Sequence, residues 1–198
     1  MASTKKANSK RATRQSKYGP VKATPVKSFF VTMLIRDITL EEAILDLLDN
    51  CVDGILRSDP PSSHAKKPYR GYKANIEFNA DSFTISDNCG GIPWNLHKYA
   101  FRMSRDIDRE PDAPGSVGVY GIGMKRAIFK LGTQCLISTQ HQSDRYEVEI
   151  SPDWLEDETD WDIPVKAGRK QEEDGTTVYV TGLHDGIKNR FSADARAF

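Results

Sequence analysis

The sequence predicts an α+β fold, a two-layer sandwich in which helices cover one side of a mostly antiparallel sheet. A strongly amphipathic helix near residue 40 is the first observation, because its apolar positions fill one broad face. The second is a series of short alternating segments after residue 74, which read as strands joined by mostly antiparallel connections. A chain of 198 residues suits one domain, so we expect a single sheet with its helices.

The first convincing helix begins at Thr39, after an apolar approach at residues 29–34. Thr39 and Glu42 form a capping box, in which each side chain reaches the other residue's free backbone amide. Opposite the apolar face lies an acidic stripe made of Asp46, Asp49, Asn50 and Asp53. Polar groups this close repel one another unless solvent, a cation or a ligand lies against them. The stripe is therefore either a solvated helix face or a binding site, in which the Asn50 oxygen can hold a hydrated Mg²⁺.

The later elements follow from alternation and from turn residues. Segments 74–79 and 82–86 alternate as a hairpin, and Asp87 lies where the second strand ends. We then expect a short helix at 94–103, a polar lid-like segment from 104 onward, and a helix that opens at 121–123 and ends at 131. Further strands are predicted at 133–140, 146–151, roughly 161–166, and 176–181.

The composition excludes several classes of protein. With 38% hydrophobic and 28% charged residues, the chain is neither fibrous, low-complexity nor membrane-embedded. No stretch approaches bilayer-spanning length, and the start lacks the apolar core of a secretory signal. The three cysteines (Cys51, Cys89 and Cys135) form no CxxC pair, so neither a disulfide framework nor a zinc knuckle is supported. We expect a reducing, cytoplasmic setting.

Charge is distributed unevenly along the chain. Residues 1–30 hold eight lysines and arginines and no acid, while the remaining 20 bases face 28 acids. We therefore divide the chain into a flexible basic tail, 1–28, and one domain, 29–198. The tail is either a nucleic-acid-binding arm, a solubilising extension or an organellar transit peptide, because a basic run alone discriminates poorly among these.

Two glycine-containing segments add chemistry to the acidic stripe. In the run Asp87 to Pro93, a carboxylate leaves a strand and enters a tight glycine turn. Such an Asp can accept a hydrogen bond from a buried amino group, although the same pattern also fits an ordinary Asp-Gly turn. In the run Gly115 to Lys125, Gly118, Gly121 and Gly123 precede a helix whose amides and positive end suit phosphate, and Lys125 adds a mobile cation. The Walker order is absent, and no βαβ unit supports a dinucleotide fold.

Together these segments resemble a known family. The order Asp46/Asn50, Asp87-x-x-x-Gly91, Gly118-x-x-Gly121-x-Gly123-Met124-Lys125 and Gly175-Thr176 is similar to that of the GHKL ATPases. These include gyrase B subunits, the large heat-shock chaperones, histidine kinases and MutL, and the MORC-like branch is the most similar in texture. The resemblance spans about residues 35–183. It implies the Bergerat ATP-binding fold, in which helices and sheet enclose ATP beneath a lid.

The resemblance also implies roles for individual residues. Asn50 matches the Mg²⁺-holding asparagine, Asp46 the acid that positions the attacking water, and Asp87 the aspartate that reads the adenine amine. Thr176 matches the threonine that supports the adenine site, and Asp53 is expected to be structural. The other nucleotide-binding positions implied are Gly91, Ile92, Gly118, Val119, Tyr120, Gly121, Ile122, Gly123, Met124 and Lys125.

Two residues depart from the family pattern. Asp46 stands where Glu is usual and is one methylene shorter, so a misplacement near 1 Å can cost on the order of a hundredfold in rate. Cys89 stands where the first glycine of Asp-x-Gly-x-Gly is usual, which tests whether that position needs a positive φ. Gly90 beside it can absorb the turn, and the Cys89 thiol is either buried and inert or a redox sensor.

We expect an enzyme, an ATP hydrolase that binds Mg²⁺ and ATP, turns over slowly, and orders its 104–120 lid as a conformational switch. The expected partners are an adenine nucleotide and a second protomer or another protein, without a membrane. The alternatives are a non-hydrolysing nucleotide sensor and a nucleic-acid-associated protein that uses the tail. A histidine-kinase catalytic domain ranks lower, because no dimerisation segment with an acceptor His is visible. We also expect a missing transducer or effector domain, because the chain stops soon after Thr176.

Overall fold

The structure is a computed structural model, which describes residue 19 and residues 25–60, 66–103 and 122–192. The described residues form six α-helices and one six-stranded sheet. The helices are α1 (Lys27–Ile35), α2 (Leu40–Ser58), α3 (His97–Phe101), α4 (Gly123–Leu131), α5 (Pro152–Glu156) and α6 (Asp185–Ser192). The strands are β1 (Ala74–Phe78), β2 (Ser82–Asp87), β3 (Gly132–His141), β4 (Asp144–Ile150), β5 (Val165–Ala167) and β6 (Gly175–Leu183). No helix among these is both long and apolar enough to cross a membrane.

The central helix α2 begins as its sequence predicts. The Glu42 amide donates to Thr39 Oγ1 at 3.2 Å, and the Thr39 amide donates to Glu42 Oε2 at 2.8 Å. Its apolar face is buried at Leu40, Ala43, Leu47, Cys51 and Ile55. The capping box and the helical register are therefore confirmed, which fixes the positions of the acidic stripe on the opposite side.

The sheet is antiparallel throughout, with the strand order β1-β2-β6-β3-β4-β5. Its register aligns buried residues in rows that cross four strands. One row runs through Ile85, Val178, Ile137 and Val148, and the next through Phe83, Val180, Cys135 and Ile150. All eight side chains are buried, whereas Tyr179 on the opposite face is 42% exposed. The sheet thus packs one face against the helices, which confirms the α+β sandwich.

The apolar segment 29–34 is a helix, α1, rather than an approach to one. Its first residue, Lys27, is fully buried, with its Nζ atom 3.9 Å from the centre of the Trp154 ring. The ammonium donates to the backbone oxygens of Trp154 and Asp160. These contacts join two segments that are more than a hundred residues apart, which sequence periodicity cannot reveal.

Other boundaries differ from the prediction. Strand β5 covers Val165–Ala167 instead of 161–166, because Pro164 has no amide to donate and Trp161 packs edge-on against Trp154. The expected helix at 94–103 is a 3₁₀ turn, Trp94–Leu96, followed by α3. Helices α5 and α6 were not predicted. Most of the 1–28 tail and all of the 104–120 lid lie outside the described residues, so their interpretations stay predictions.

Candidate functional site

Asp87 ends β2 at the point where the buried face of the sheet becomes polar. The apolar row at Ile85 is followed, two residues farther along each strand, by Asp87, Thr176, Thr139 and Tyr146. Because side chains alternate between faces with a period of two, these four residues share the face that the helices cover. A polar site therefore begins where the apolar core ends.

Backbone amides fix the orientation of the Asp87 carboxylate. Its Oδ1 atom accepts hydrogen bonds from the Cys89 amide at 2.7 Å and the Thr176 amide at 3.3 Å. The Cys51 thiol donates to Oδ2 over a longer distance of 3.6 Å. Burial raises the pKa of Asp87, and the hydrogen bonds oppose that rise. With Oδ1 engaged twice, Oδ2 is the oxygen best placed to accept a hydrogen bond from a ligand.

The backbone of the turn after Asp87 shows whether position 89 needs a positive φ. Cys89 is not among the positive-φ residues, whereas Gly90 has φ +94° and Gly91 has φ +64°. Gly90 thus takes the left-handed conformation and Cys89 is accommodated without strain. The Cys89 side chain is 3% exposed, and burial beside Asp87 raises its pKa to about 11. This confirms a buried thiol, and its raised pKa opposes the reactive thiolate that a sensor requires.

Gly91 lies where two backbone segments approach each other closely. A Cβ atom at Gly91 would lie 1.9 Å from the Gln140 carbonyl oxygen, and one at Gly175 would lie 1.9 Å from the Asp87 carbonyl oxygen. The Ile92 amide donates to Thr139 Oγ1 at 2.9 Å, and that hydroxyl lies 3.1 Å from Thr176 Oγ1. The structure therefore brings Gly91, Ile92 and Thr176 together around Asp87.

Asp46 occupies the other end of the site, between α2 and α4. Its two oxygens accept hydrogen bonds from Arg126, at 2.5 Å from Nε and 3.0 Å from Nη2. A Cβ atom at Gly123 would lie 3.4 Å from Asp46 Cγ, so the first residue of α4 packs directly on this carboxylate. Asp49, one turn along α2, has a pKa raised by burial and by the neighbouring Asp46 and Asp53 charges. The stripe is thus partly balanced by a base from another helix.

Asn50 lies one turn after Asp46 and is exposed. Its Nδ2 atom donates to the Asp46 backbone oxygen at 2.6 Å, which leaves Oδ1 as the amide atom directed elsewhere. An amide oxygen on an exposed surface is a suitable ligand for Mg²⁺, which keeps several of its own waters. The residues present therefore fit the cation that the sequence predicts.

Part of the predicted phosphate segment can be located. Ile122 precedes α4, Met124 is buried, and the Lys125 ammonium donates to the Ala100 backbone oxygen at 2.8 Å. Burial lowers the pKa of Lys125 to about 8. Gly118, Val119, Tyr120 and Gly121 lie outside the described residues. Phosphate binding by this segment, including Lys125, stays a prediction.

The protein-family model of the histidine kinase-, DNA gyrase B- and HSP90-like ATPases matches residues 38–185 of this chain. The chain belongs to this ATPase family. The match includes Asp46, Asn50, Asp87 and Thr176, and membership indicates that the domain binds ATP. A search among curated proteins finds no match.

Four residues of this ATPase domain contribute to the site without having been predicted. Arg126 holds Asp46, Cys51 contacts Asp87, and Thr139 joins Ile92 to Thr176. A Cβ atom at Gly54 would lie 2.5 Å from the Cys89 carbonyl oxygen, so Gly54 lets the turn rest on α2. Gly54 and Cys51 had one usable signal, since residues three positions apart lie on the same helix face and Gly54 is the residue there without a side chain.

Proposed function

We propose that this domain binds Mg·ATP along α2, hydrolyses it slowly, and uses nucleotide occupancy as a conformational switch. The adenine would lie at Asp87 and the triphosphate near Asp46 and the start of α4. Asp46 and Cys51, which contact these two ends, are five residues apart on one helix, an axial rise of about 7.5 Å. Assignment to the MORC-like branch stays a prediction.

The adenine end rests on the carboxylate of Asp87, the single observation that carries the proposal. Its Oδ1 is held by two backbone amides, so Oδ2 has a fixed direction from which to accept the exocyclic amine of adenine. Thr176 supports this arrangement through its own amide. Gly91 lacks a side chain where a Cβ atom would collide with the Gln140 carbonyl oxygen, so the turn after Asp87 can pack directly on β3.

The triphosphate end rests on Asn50, Asp46 and α4. Asn50 would hold Mg²⁺ through Oδ1, and the cation would neutralise charge on the phosphates. Ile122 gives α4 no side-chain cap, the amides at a helix N-terminus favour an anion, and Gly123 brings this helix end against Asp46. Asp46 would orient the attacking water, but both of its oxygens already accept from Arg126. Water must share or displace that guanidinium, a second physical reason to expect slow hydrolysis.

The proposed switch depends on the order of the lid and α4 along the sequence. Helix α4 begins at Gly123, three residues after the end of the predicted 104–120 lid, and this first residue packs on Asp46. A triphosphate at this helix end would contact the lid and α4 together, so binding and lid position would be coupled. We propose that the ordered lid is recognised by a second protomer or a partner protein.

A second candidate function is a nucleotide sensor that does not hydrolyse ATP. The Asp46–Arg126 pair favours it, because a short carboxylate already satisfied by a guanidinium is poorly placed to hold water. In this reading the same pocket binds ATP, and occupancy alone sets the assembly state.

Calorimetry tests the binding proposal. We expect the wild-type protein to bind ATP, ADP and a non-hydrolysable analogue, with Mg²⁺ strengthening binding. Asn50→Ala should remove the Mg²⁺ effect while binding without the cation persists. An unchanged Mg²⁺ effect in Asn50→Ala would remove Asn50 from the cation site.

Single-turnover hydrolysis separates the two candidate functions. If Asp46 positions water, Asp46→Asn should lower the rate by about 100-fold or more, while ATP affinity changes little. Asp49→Asn is the matched control, because Asp49 lies on the same stripe without contacting Gly123 or Arg126 in the described residues. Equal, measurable rates in wild type and Asp46→Asn would remove Asp46 from catalysis, whereas no hydrolysis above background in wild type would favour the sensor.

A further inference from the structure

Two thiols and one carboxylate converge at the adenine end of the site. The ligand atoms of Cys51, Asp87 and Cys89 all lie within 4.8 Å of one another. Cys51 comes from α2, Asp87 from the end of β2, and Cys89 from the glycine turn. Among the described histidines, cysteines, aspartates and glutamates, this is the group of three that has the spacing of metal ligands.

The spacing suits a tetrahedral cation. Zinc binds thiolate sulfur at about 2.3 Å and carboxylate oxygen at about 2.0–2.2 Å, so neighbouring ligand atoms lie roughly 3.5–3.8 Å apart. The Cys51 Sγ and Asp87 Oδ2 atoms are 3.6 Å apart. This pair already has the separation that a tetrahedral cation requires, and the pairs that include Cys89 Sγ lie within 4.8 Å, so they would have to close by at most about 1 Å.

The surrounding backbone holds the three ligands in place. The Cys89 amide bonds to Asp87 Oδ1 at 2.7 Å, and Gly54 lets the Cys89 backbone rest directly on α2. Both cysteines are buried, at 7% and 3% exposure, while Asp87 is half-buried. Entry would therefore be from the Asp87 side, where a water molecule can take the fourth position.

We propose that Cys51, Asp87 and Cys89 form a binding site for one thiophilic divalent cation, such as Zn²⁺ or Cd²⁺. The cation forms two metal–sulfur bonds and one metal–oxygen bond, and the two thiol protons leave to solvent. The two thiolates and the carboxylate exceed the charge of the divalent cation by one negative charge, and no oxidation state changes. Mg²⁺, which prefers oxygen ligands, does not compete at this site.

Occupancy has a consequence for nucleotide binding, which rests on the proposed function. The metal engages the same Asp87 carboxylate that the adenine amine requires. Metal and adenine nucleotide should therefore exclude each other, so a thiophilic cation would inhibit the ATPase domain from within its own pocket.

Cd²⁺ titration of the intact chain, without nucleotide and with a phosphine reductant present, tests the site. We expect one Cd²⁺ per chain, a sulfur-to-metal charge-transfer band in the ultraviolet, and release of two protons. Cys51→Ser and Cys89→Ser should each weaken binding by about 100-fold. Cys135→Ser is the matched control, because Cys135 is equally buried but lies in the β3 row of the apolar core, and it should leave binding unchanged.

A footprint on the wild-type protein keeps the proposal testable if the variants fold poorly. Alkylation during brief partial unfolding, read peptide by peptide, should be slowed by Zn²⁺ at Cys51 and Cys89 but not at Cys135. Absence of the charge-transfer band, or equal protection of all three cysteines, would overturn the site.

Competition with ATP is measured separately. Metal binding that leaves ATP affinity unchanged would overturn the exclusion, whereas a protein that binds metal but no nucleotide would refute the proposed function alone.

Discussion

Replacing Asp87 by asparagine separates two roles of this side chain. One is to accept hydrogen bonds from backbone amides, and the other is its proposed contact with adenine. An asparagine oxygen can still accept from the Cys89 and Thr176 amides, as Asp87 Oδ1 does at 2.7 and 3.3 Å. The other carboxylate oxygen becomes an NH₂ group. That group would face the adenine amine as a second donor, so the hydrogen bond proposed to read the base is lost.

The magnitudes follow from these contacts. Losing a hydrogen bond to a charged group costs about 1.5–3 kcal/mol, so ATP affinity should fall about 10- to 100-fold in Asp87→Asn. The unfolding free energy should stay within about 1 kcal/mol of wild type, because both amides keep an acceptor. Asp87→Ala, by contrast, leaves two amides without an acceptor at about 1–3 kcal/mol each, which makes it the poorer variant for a binding test.

Asp87→Asn should also change how the unfolding free energy depends on pH. Burial raises the pKa of Asp87, so the folded protein binds this proton more tightly than the unfolded chain does. The resulting stabilisation is fully present below the unfolded pKa and is lost as pH rises through the raised folded pKa. Relative to wild type, Asp87→Asn should therefore be least stable in acid and should gain as pH rises through the folded pKa.

Urea unfolding across pH and calorimetric ATP titration measure both quantities on the same two proteins. If Asp87→Asn binds ATP as tightly as wild type does, Asp87 does not read the base. A loss of several kcal/mol of stability at neutral pH would show that asparagine does not keep the hydrogen bonds from the Cys89 and Thr176 amides.

Two further predictions concern packing. Lys27→Met should lower the unfolding free energy by about 2–4 kcal/mol in chemical denaturation, because two backbone oxygens lose their buried donor over Trp154; wild-type stability would contradict this. Gly175→Ala should cost about 3 kcal/mol, since its Cβ would collide with the Asp87 carbonyl. Gly186→Ala, in open space on α6, should instead stabilise by about 0.5–1 kcal/mol, and equal effects at the two glycines would contradict the close approach.

Much of the fold could be predicted because the signals are local. The capping box at Thr39 and Glu42 involves residues three apart, and the hairpin leading to Asp87 alternates over a few residues. The proposed adenine end shares this property, since Asp87, Gly90 and Gly91 are neighbours in one turn. Residue type and spacing therefore located both the β1–β2 hairpin and the carboxylate at the end of β2.

The missed features depend on contacts between distant segments. Arg126 reaches Asp46 across 80 residues, and Lys27 reaches Trp154 across 127. Cys51 meets Asp87 only because α2 packs over the end of β2. A single sequence carries no periodicity that links such pairs. The acidic stripe was therefore expected to find its counter-charge in solvent or a ligand, although a neighbouring helix supplies part of it.

Competition between ATP and GTP for the wild-type pocket tests whether Asp87 reads the purine. Adenine presents an amine where guanine presents a carbonyl oxygen, which would face the Asp87 carboxylate as a second acceptor. If Asp87 reads the purine, ATP should bind at least about 100-fold more tightly than GTP. Equal affinity for the two nucleotides would show that Asp87 does not read the purine. No affinity for ATP would contradict an ATP site at Asp87 altogether.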